Sequence, residues 1–226
     1  MEPPGELVVA TFNIHHGEGR DGVVDLGRTA DTISSLGADL VALQELDREV
    51  SRSGRVDQAL ELASLTGMEV RFFPALMVER GEYGLALAAK GDFQSSVEPL
   101  PRLAEERRIA IVARYRGVSI IATHLATGGR ARQLQTEFVA TLAGRLDPPV
   151  VILGDLNQPI AGLGPLVSAG FTTHPPPDSW RARLSFRRVD HIFVGPGLRI
   201  RNLRAVATDA SDHGAVRARV IPRRGK

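Results

Sequence analysis

A mixed α+β domain is expected from the sequence, and three observations carry that expectation. Short apolar, β-branched runs recur along the chain. Helical patterns separate some of them. In the middle, two runs follow each other with only a short polar joint, which a strictly alternating βαβ chain does not allow.

The runs are LVVATF (7–12), DLVAL (39–43), LALAA (85–89), IAIVA (109–113), VSIIAT (118–123), VVIL (150–153), VDHIFV (189–194) and AVRARV (215–220). AVRARV alternates, which predicts one buried and one open face. VVIL and VSIIAT are uninterrupted, which predicts cover on both faces. Residues 109–123 read as an antiparallel hairpin joined by RYRG. Three segments read as helices. Residues 25–36 carry Leu26, Ala30 and Ile33 on one stripe and stop at Gly37. Residues 57–66 open on Asp57 as a cap and close on Gly67. Residues 130–145 place Leu134, Phe138 and Leu142 at i, i+4 and i+8. HPPPDSW (174–180) reads as a loop. No linker or low-complexity tract interrupts the chain, so residues 1–226 are expected to form one domain with frayed ends at 1–5 and 222–226.

Composition narrows the function. The chain has 226 residues, 43% of them apolar and 24% charged, enough to bury a core without staples. It has no cysteine, which excludes disulfides, thiolate catalysis and zinc–thiolate sites. No apolar run approaches the ~20 residues of a membrane helix, and MEPPGELVV lacks the pattern of a secretory signal. A cytoplasmic protein without stable membrane association is expected. The net charge of +2 does not announce nucleic acid, although only Lys90 and Lys226 of the 28 basic residues are lysines.

One glycine pattern needs a decision. Gly17, Gly19 and Gly22 form G-x-G-x-x-G after an apolar run, with Glu45 about 20 residues on, as in a dinucleotide fold. In that fold the first glycine directly follows the strand and the third lies in the first helical turn. Here Asn13, Ile14, His15 and His16 intervene before Gly17, and Val23 and Val24 follow Gly22. The glycines are therefore read as a flexible loop beside a site. His15 and His16 either face that site or solvate the loop. A serine-hydrolase G-x-S-x-G and a P-loop are both missing from the sequence.

Residues with metal, acid or base chemistry gather at the ends of the apolar runs. Asn13, Glu45, His124, Asp155 and Asn157 each follow one. Asp190 instead opens DHIFV, and Asp212–His213 precede the last run. Strand ends along one edge of a sheet are where side chains converge on a fixed backbone. Singly, an Asn or Asp here is a turn former and His124 a core histidine. In GDLN, Asp155 and Asn157 are two apart, so in an extended chain they point the same way. SDH sets an acid beside an imidazole with no helix to cap.

Taken together, ATFNIHHG, DLVALQELD, YGLALAAKG, IIATHL, VVILGDLNQP, RRVDHIFV and ASDHGAV resemble the endonuclease/exonuclease/phosphatase superfamily, with its deoxyribonuclease-I-like fold. These segments run from ATFNIHHG near the start to ASDHGAV near the end, nearly the whole chain. LQELD departs from the LQETK form of abasic-site repair enzymes, and Leu85 stands where relatives often carry Asn.

The resemblance implies a four-layer α/β/β/α sandwich, two mixed sheets face to face and flanked by helices. It implies a divalent ion, Mg²⁺ or Mn²⁺, held by Glu45 with Asn13 and Asp212 close by. It implies a His213–Asp190 dyad, with Asp155 orienting or deprotonating water. Asn157 and His124 would donate to the phosphoryl oxygens. Tyr83 and either Arg107 or Arg108 would lie near the phosphate. The activity implied is metal-dependent phosphoester hydrolysis, foremost a nuclease-like phosphodiesterase on a substrate such as nucleic acid. A phospholipid or inositol-phosphate esterase is the alternative, and an inactive binding module the third reading. WRARLSFRR (180–188) puts four arginines and two aromatics before Asp190, either a solvated loop or a groove for phosphates and a stacked base.

Overall fold

The computed structural model describes residues 5–174 and 189–223. HPPPDSW beyond His174, and WRARLSFRR, lie outside them. Among the described residues, eleven strands form two sheets. The first holds β1 (Leu7–Asn13), β2 (Leu40–Arg48), β3 (Glu69–Val78), β4 (Gly81–Ala89), β10 (Leu198–Val206) and β11 (Ala215–Pro222), in the order β10-β11-β1-β2-β4-β3. The second holds β5 (Gln94–Pro99), β6 (Ile109–Tyr115), β7 (Val118–His124), β8 (Val150–Asp155) and β9 (Asp190–Val194), in sequence order. Four α-helices of the described residues flank them: α1 (Leu26–Ser35), α2 (Gln58–Thr66), α3 (Gly129–Ala143) and α4 (Gly164–Ser168).

Three apolar clusters define four layers. Val9, Leu87, Ile120, Leu153, Val216 and Val220 fill the space between the sheets. Phe12, Leu43, Ile33 and Leu62 join the first sheet to α1 and α2. Ile121, Ile152, Phe193, Val139 and Leu166 join the second sheet to α3 and α4. The alternation of Val150 and Ile152 with Val151 and Leu153 between two clusters is what an uninterrupted apolar strand requires. The expected four-layer sandwich is the observed fold.

Each predicted run is a strand. β6 and β7 form the expected hairpin, turning at Arg116 (φ 45°) and Gly117 (φ 78°), both left-handed as a tight hairpin turn demands. Asp25 and Asp57 cap α1 and α2 by accepting from the backbone N–H of Arg28 and Leu60. Gly67 ends α2 at φ 68°.

Two expectations are corrected. Strands β3, β5 and β10 add to the eight runs that the sequence marks. In α3 the buried stripe is Ala131, Gln135, Val139 and Leu142, while Leu134 is exposed and Phe138 only half-buried. Gln135 and its neighbour Thr136 take the buried face because they tie down loops. Gln135 accepts from Ala126 N at 2.8 Å and donates to Pro101 O at 3.0 Å, and Thr136 accepts from Gln158 Nε2 at 2.9 Å.

Strand direction explains where the site lies. β1 is parallel to β2, and β7 to β8, so Asn13, Gln44–Glu45, His124 and Asp155 end at one rim of the sandwich. β9 runs antiparallel to β8 with Asp190 opposite Asp155. β11 runs antiparallel to β1. The first residues of β9 and the turn before β11 therefore reach the same rim, which is why Asp190 opens its strand while the others close theirs.

Candidate active site

Asp155 is the centre of the cluster. Its side chain is 2% exposed. Oδ1 accepts from the backbone N–H of Asn157 at 2.9 Å. Oδ2 accepts from Asn13 Nδ2 at 3.1 Å and lies 3.5 Å from His124 Nε2 and 3.8 Å from His213 Nε2. Burial by itself would push this carboxyl up. The imidazoles of His124 and His213, with the bonds from Asn157 and Asn13, outweigh it and hold Asp155 below the usual carboxylate range.

Gly154 makes this placement possible. It adopts φ 151°, and a Cβ there would fall 1.9 Å from Thr123 O. Only glycine lets β8 lie this close to β7 just before the acid.

His213 Nδ1 and Asp190 Oδ2 are 2.8 Å apart. Burial would lower the imidazole, but the carboxylates of Asp190, Asp155 and Asp212 raise it to about 9. Burial and the nearby Asp155 push the Asp190 carboxyl up as well. The pair keeps a proton at neutral pH, and the imidazole, facing three acids, is where it resides.

His124 is the opposite case. Burial drives its pKa down to about 4 against the pull of Asp155, so its ring is neutral. Two histidines beside one carboxylate thus differ in charge, a separation set by environment.

Asn13 joins the two sides. Its Nδ2 donates to Glu45 Oε1 at 2.8 Å as well as to Asp155, and its Oδ1 accepts from the backbone N–H of His15 at 3.1 Å. Glu45 reaches it from a bulge. The β2–β4 register shifts between Gln44 and Leu46, and Glu45 sits there at φ 64°. A bulge re-aims one side chain without breaking the sheet, here at the cost of a left-handed, non-glycine residue.

His15 and His16 also adopt left-handed backbone, at φ 46° and 45°. His15 orients Asn13 through its main chain. His16 is buried and faces Glu18, with Nε2–Oε2 at 3.4 Å. Burial and the charge of Arg52 lower its pKa. The glycine loop is a small hydrogen-bonded turn. Gly19 N donates to Val23 O at 3.0 Å and Gly22 N to Gly19 O at 3.0 Å, while a Cβ on Gly19 would meet Asp209 O at 2.6 Å.

One expectation about GDLN is corrected. Asp155 and Asn157 do not project together from an extended strand. β8 ends at Asp155, Asn157 adopts φ 52°, and its Nδ2 donates to Leu125 O at 2.7 Å. The segment is an Asx turn, so Asn157 serves Asp155 through its backbone N–H.

Tyr83, Arg108 and His124 line one pocket with Gly84, Leu85 and Ile109. Arg108 has a side chain only 10% exposed, and its Nε has no partner among the described residues. Arg107 is exposed. Asp212 is exposed beside His213.

Sequence reasoning passes over Ser211. Fully buried, its Oγ donates to Asn13 O at 2.8 Å and accepts from His213 N at 3.1 Å, locking the histidine turn to the end of β1. It is visible only as the first letter of SDH. Arg52 is passed over too. It lies in a short turn after β2 with no periodicity to mark it.

The oxygen chemistry suits a hard divalent ion. Asp155, Asp190 and His213 place ligand atoms within 4.8 Å of one another, but these atoms already hold one another in the dyad and its neighbour. Glu45 accepts from Asn13 and is half-buried at the rim. Its carboxylate fits an added cation better than the dyad does.

Acids, amides and imidazoles thus gather at one rim of a two-sheet sandwich. The model of the endonuclease/exonuclease/phosphatase family matches residues 10–213, and the chain belongs to that family. Among solved structures, an endonuclease/exonuclease/phosphatase from Beutenbergia cavernae is 23% identical, with a TM-score of 0.77 over 96% of this chain and 72% of that one. The human Nocturnin catalytic domain, with a bound sulfate anion, is 18% identical, with a TM-score of 0.69 over 97% and 96%. A mannosyl-6-phosphatase from Bacteroides thetaiotaomicron is 17% identical, with a TM-score of 0.69 over 95% and 99%. These likenesses establish the shared fold. No curated protein sequence matches the chain. No helix among the described residues is long and apolar enough to cross a membrane.

Proposed function

We propose that the protein is a divalent-metal-dependent phosphodiesterase with nuclease-like activity. The observation that carries this reading is Asp155 Oδ2, an ionised oxygen met by Asn13, His124 and His213 within 3.1–3.8 Å. An ionised, buried carboxylate between a neutral and a charged imidazole is an acceptor for the proton of an attacking water.

Asp155 orients that water in line with the leaving oxygen; the new P–O bond forms as the bond to the leaving oxygen breaks, and the water's proton passes by way of Asp155 to the departing alkoxide. His213, kept protonated by Asp190, donates to a phosphoryl oxygen as charge builds there. His124 adds a neutral N–H, and the second N–H of Asn157 does the same. Arg108 and Tyr83 hold the phosphate from the pocket side. Glu45, oriented by the Asn13 amide and with Asp212 as the second acid, would hold Mg²⁺ or Mn²⁺. When bound, the ion would supply positive charge to offset that on the phosphate and on the leaving group.

The test is hydrolysis of bis-p-nitrophenyl phosphate with Mg²⁺ or Mn²⁺ and after chelation. Release of p-nitrophenolate that stops with chelator supports the reading. No release with either ion, or release indifferent to chelator, overturns it. Plasmid DNA, RNA and sphingomyelin then separate a nuclease from a lipid esterase.

A further inference from the structure

We infer that Arg52, lying over the Tyr83 ring, forms a subsite for a second phosphate of the substrate, distinct from the one cleaved. The inference deepens the phosphodiesterase reading above and rests on it.

Arg52 is held before any ligand arrives. Its Nε and Nη2 donate to the two oxygens of Asp47, each at 2.8 Å. Asp47 has no exposed side-chain surface and also accepts from Ser53 Oγ at 3.0 Å. Its backbone N–H donates to Gln58 Oε1 at 2.9 Å, and Gln58 Nε2 donates to His16 O at 2.6 Å. The guanidinium plane is therefore fixed through α2 and the turn after β1. Fixing a long side chain in advance removes an ordering cost from binding.

The same guanidinium is not consumed by Asp47. Arginine has five N–H donors in a rigid fork, and the fork to Asp47 uses two. The side chain is 43% exposed. Its remaining N–H donors therefore face solvent and are open to a ligand.

Its position ties it to the site. The guanidinium carbon lies 5.6 Å from the centre of the Tyr83 ring. Tyr83 also lines the pocket of Arg108 and His124, and the Glu45 carboxylate acts on both Arg52 and Tyr83. Tyr83 thus stands between two arginines. Arg108 belongs to the side of His124, where the scissile group is placed. Arg52 does not line that pocket, and from beyond the Tyr83 ring it would meet the next phosphate along the substrate. A planar donor set pre-oriented on an aromatic ring suits phosphate bidentately. The subsite selects a polynucleotide or bisphosphate over an isolated diester.

The experiment is a calorimetric titration, in buffer containing Ca²⁺, with thymidine 5′-monophosphate and thymidine 3′,5′-bisphosphate. The wild-type protein is expected to bind the bisphosphate about tenfold more tightly. Arg52→Ala should bring that ratio close to one, and Arg52→Lys should keep part of it. Because Arg52→Ala strands a buried carboxylate, the double variant Asp47→Asn, Arg52→Ala is measured beside it and should show the same loss. A wild type without preference, a preference surviving in the double variant, or a parallel loss of both affinities overturns the subsite. The readout is binding, so a failure of hydrolysis overturns the phosphodiesterase reading separately.

Discussion

Asn13 at the end of β1 and Asp155 at the end of β8 lie on different sheets, and the Nδ2–Oδ2 bond of 3.1 Å between them closes the top of the sandwich. One carboxamide also reaches Glu45 at 2.8 Å. It keeps two carboxylates close without direct repulsion.

Asn13→Ala should lower kcat on bis-p-nitrophenyl phosphate by about 10²–10³, the usual effect of losing one positioned donor in a site. Asn13→Asp should do more damage, because it replaces the shared donor with a third carboxylate and raises Asp155. Comparable kcat for the two variants would contradict the bridging role.

The alkaline limb of the pH profile should belong to His213. Its pKa is raised to about 9, so kcat/KM should fall as pH rises through that value. Asp190→Asn removes a carboxylate that raises the imidazole and should move the limb downward. The same shift has a stability consequence. A histidine raised in the folded state from 6.5 to about 9 contributes fully below 6.5 and loses that contribution as pH rises to about 9. The stability difference between wild type and His213→Gln, from urea unfolding, should shrink across that window.

Glu45→Gln should need more Mg²⁺ than wild type to reach its half-maximal rate. A second readout is independent of rate. Mg²⁺ should raise the Tm of the wild type by ligand linkage and should raise that of Glu45→Gln less.

Gly154→Ala should destabilise the fold by about 3 kcal/mol, since the added Cβ collides with the Thr123 carbonyl and a φ of 151° disfavours any side chain. By contrast, Asp25→Ala removes a helix cap and a partly exposed ion pair with Arg28, costing about 1 kcal/mol with little change in kcat. Chemical denaturation distinguishes the two magnitudes.

The strands that escape a reading of the sequence have one thing in common. β3, β5 and β10 are all sheet edges. An edge strand pairs on one side and is buried less, so its sequence carries less apolar pattern. β5 is QSSVEP, almost wholly exposed. β3 contains Pro74, which an edge tolerates and a central strand does not. β10 alternates, but with a register break between Arg201 and Arg204.

The central strands, the caps of α1 and α2, and the set of residues from Asn13 to His213 with chemistry to offer are all legible in the chain before it folds. Those features are local: periodicity, a cap, or a polar residue at the end of an apolar run is written in adjacent letters. How the set divides is a property of the folded molecule. The left-handed turn at Asn157 directs its side chain to Leu125 O, Ser211 locks the histidine turn, and Arg52 is fixed on Asp47 beside Tyr83. Each depends on pairing between distant segments and on burial, which set hydrogen-bond partners and shift the histidines in opposite directions.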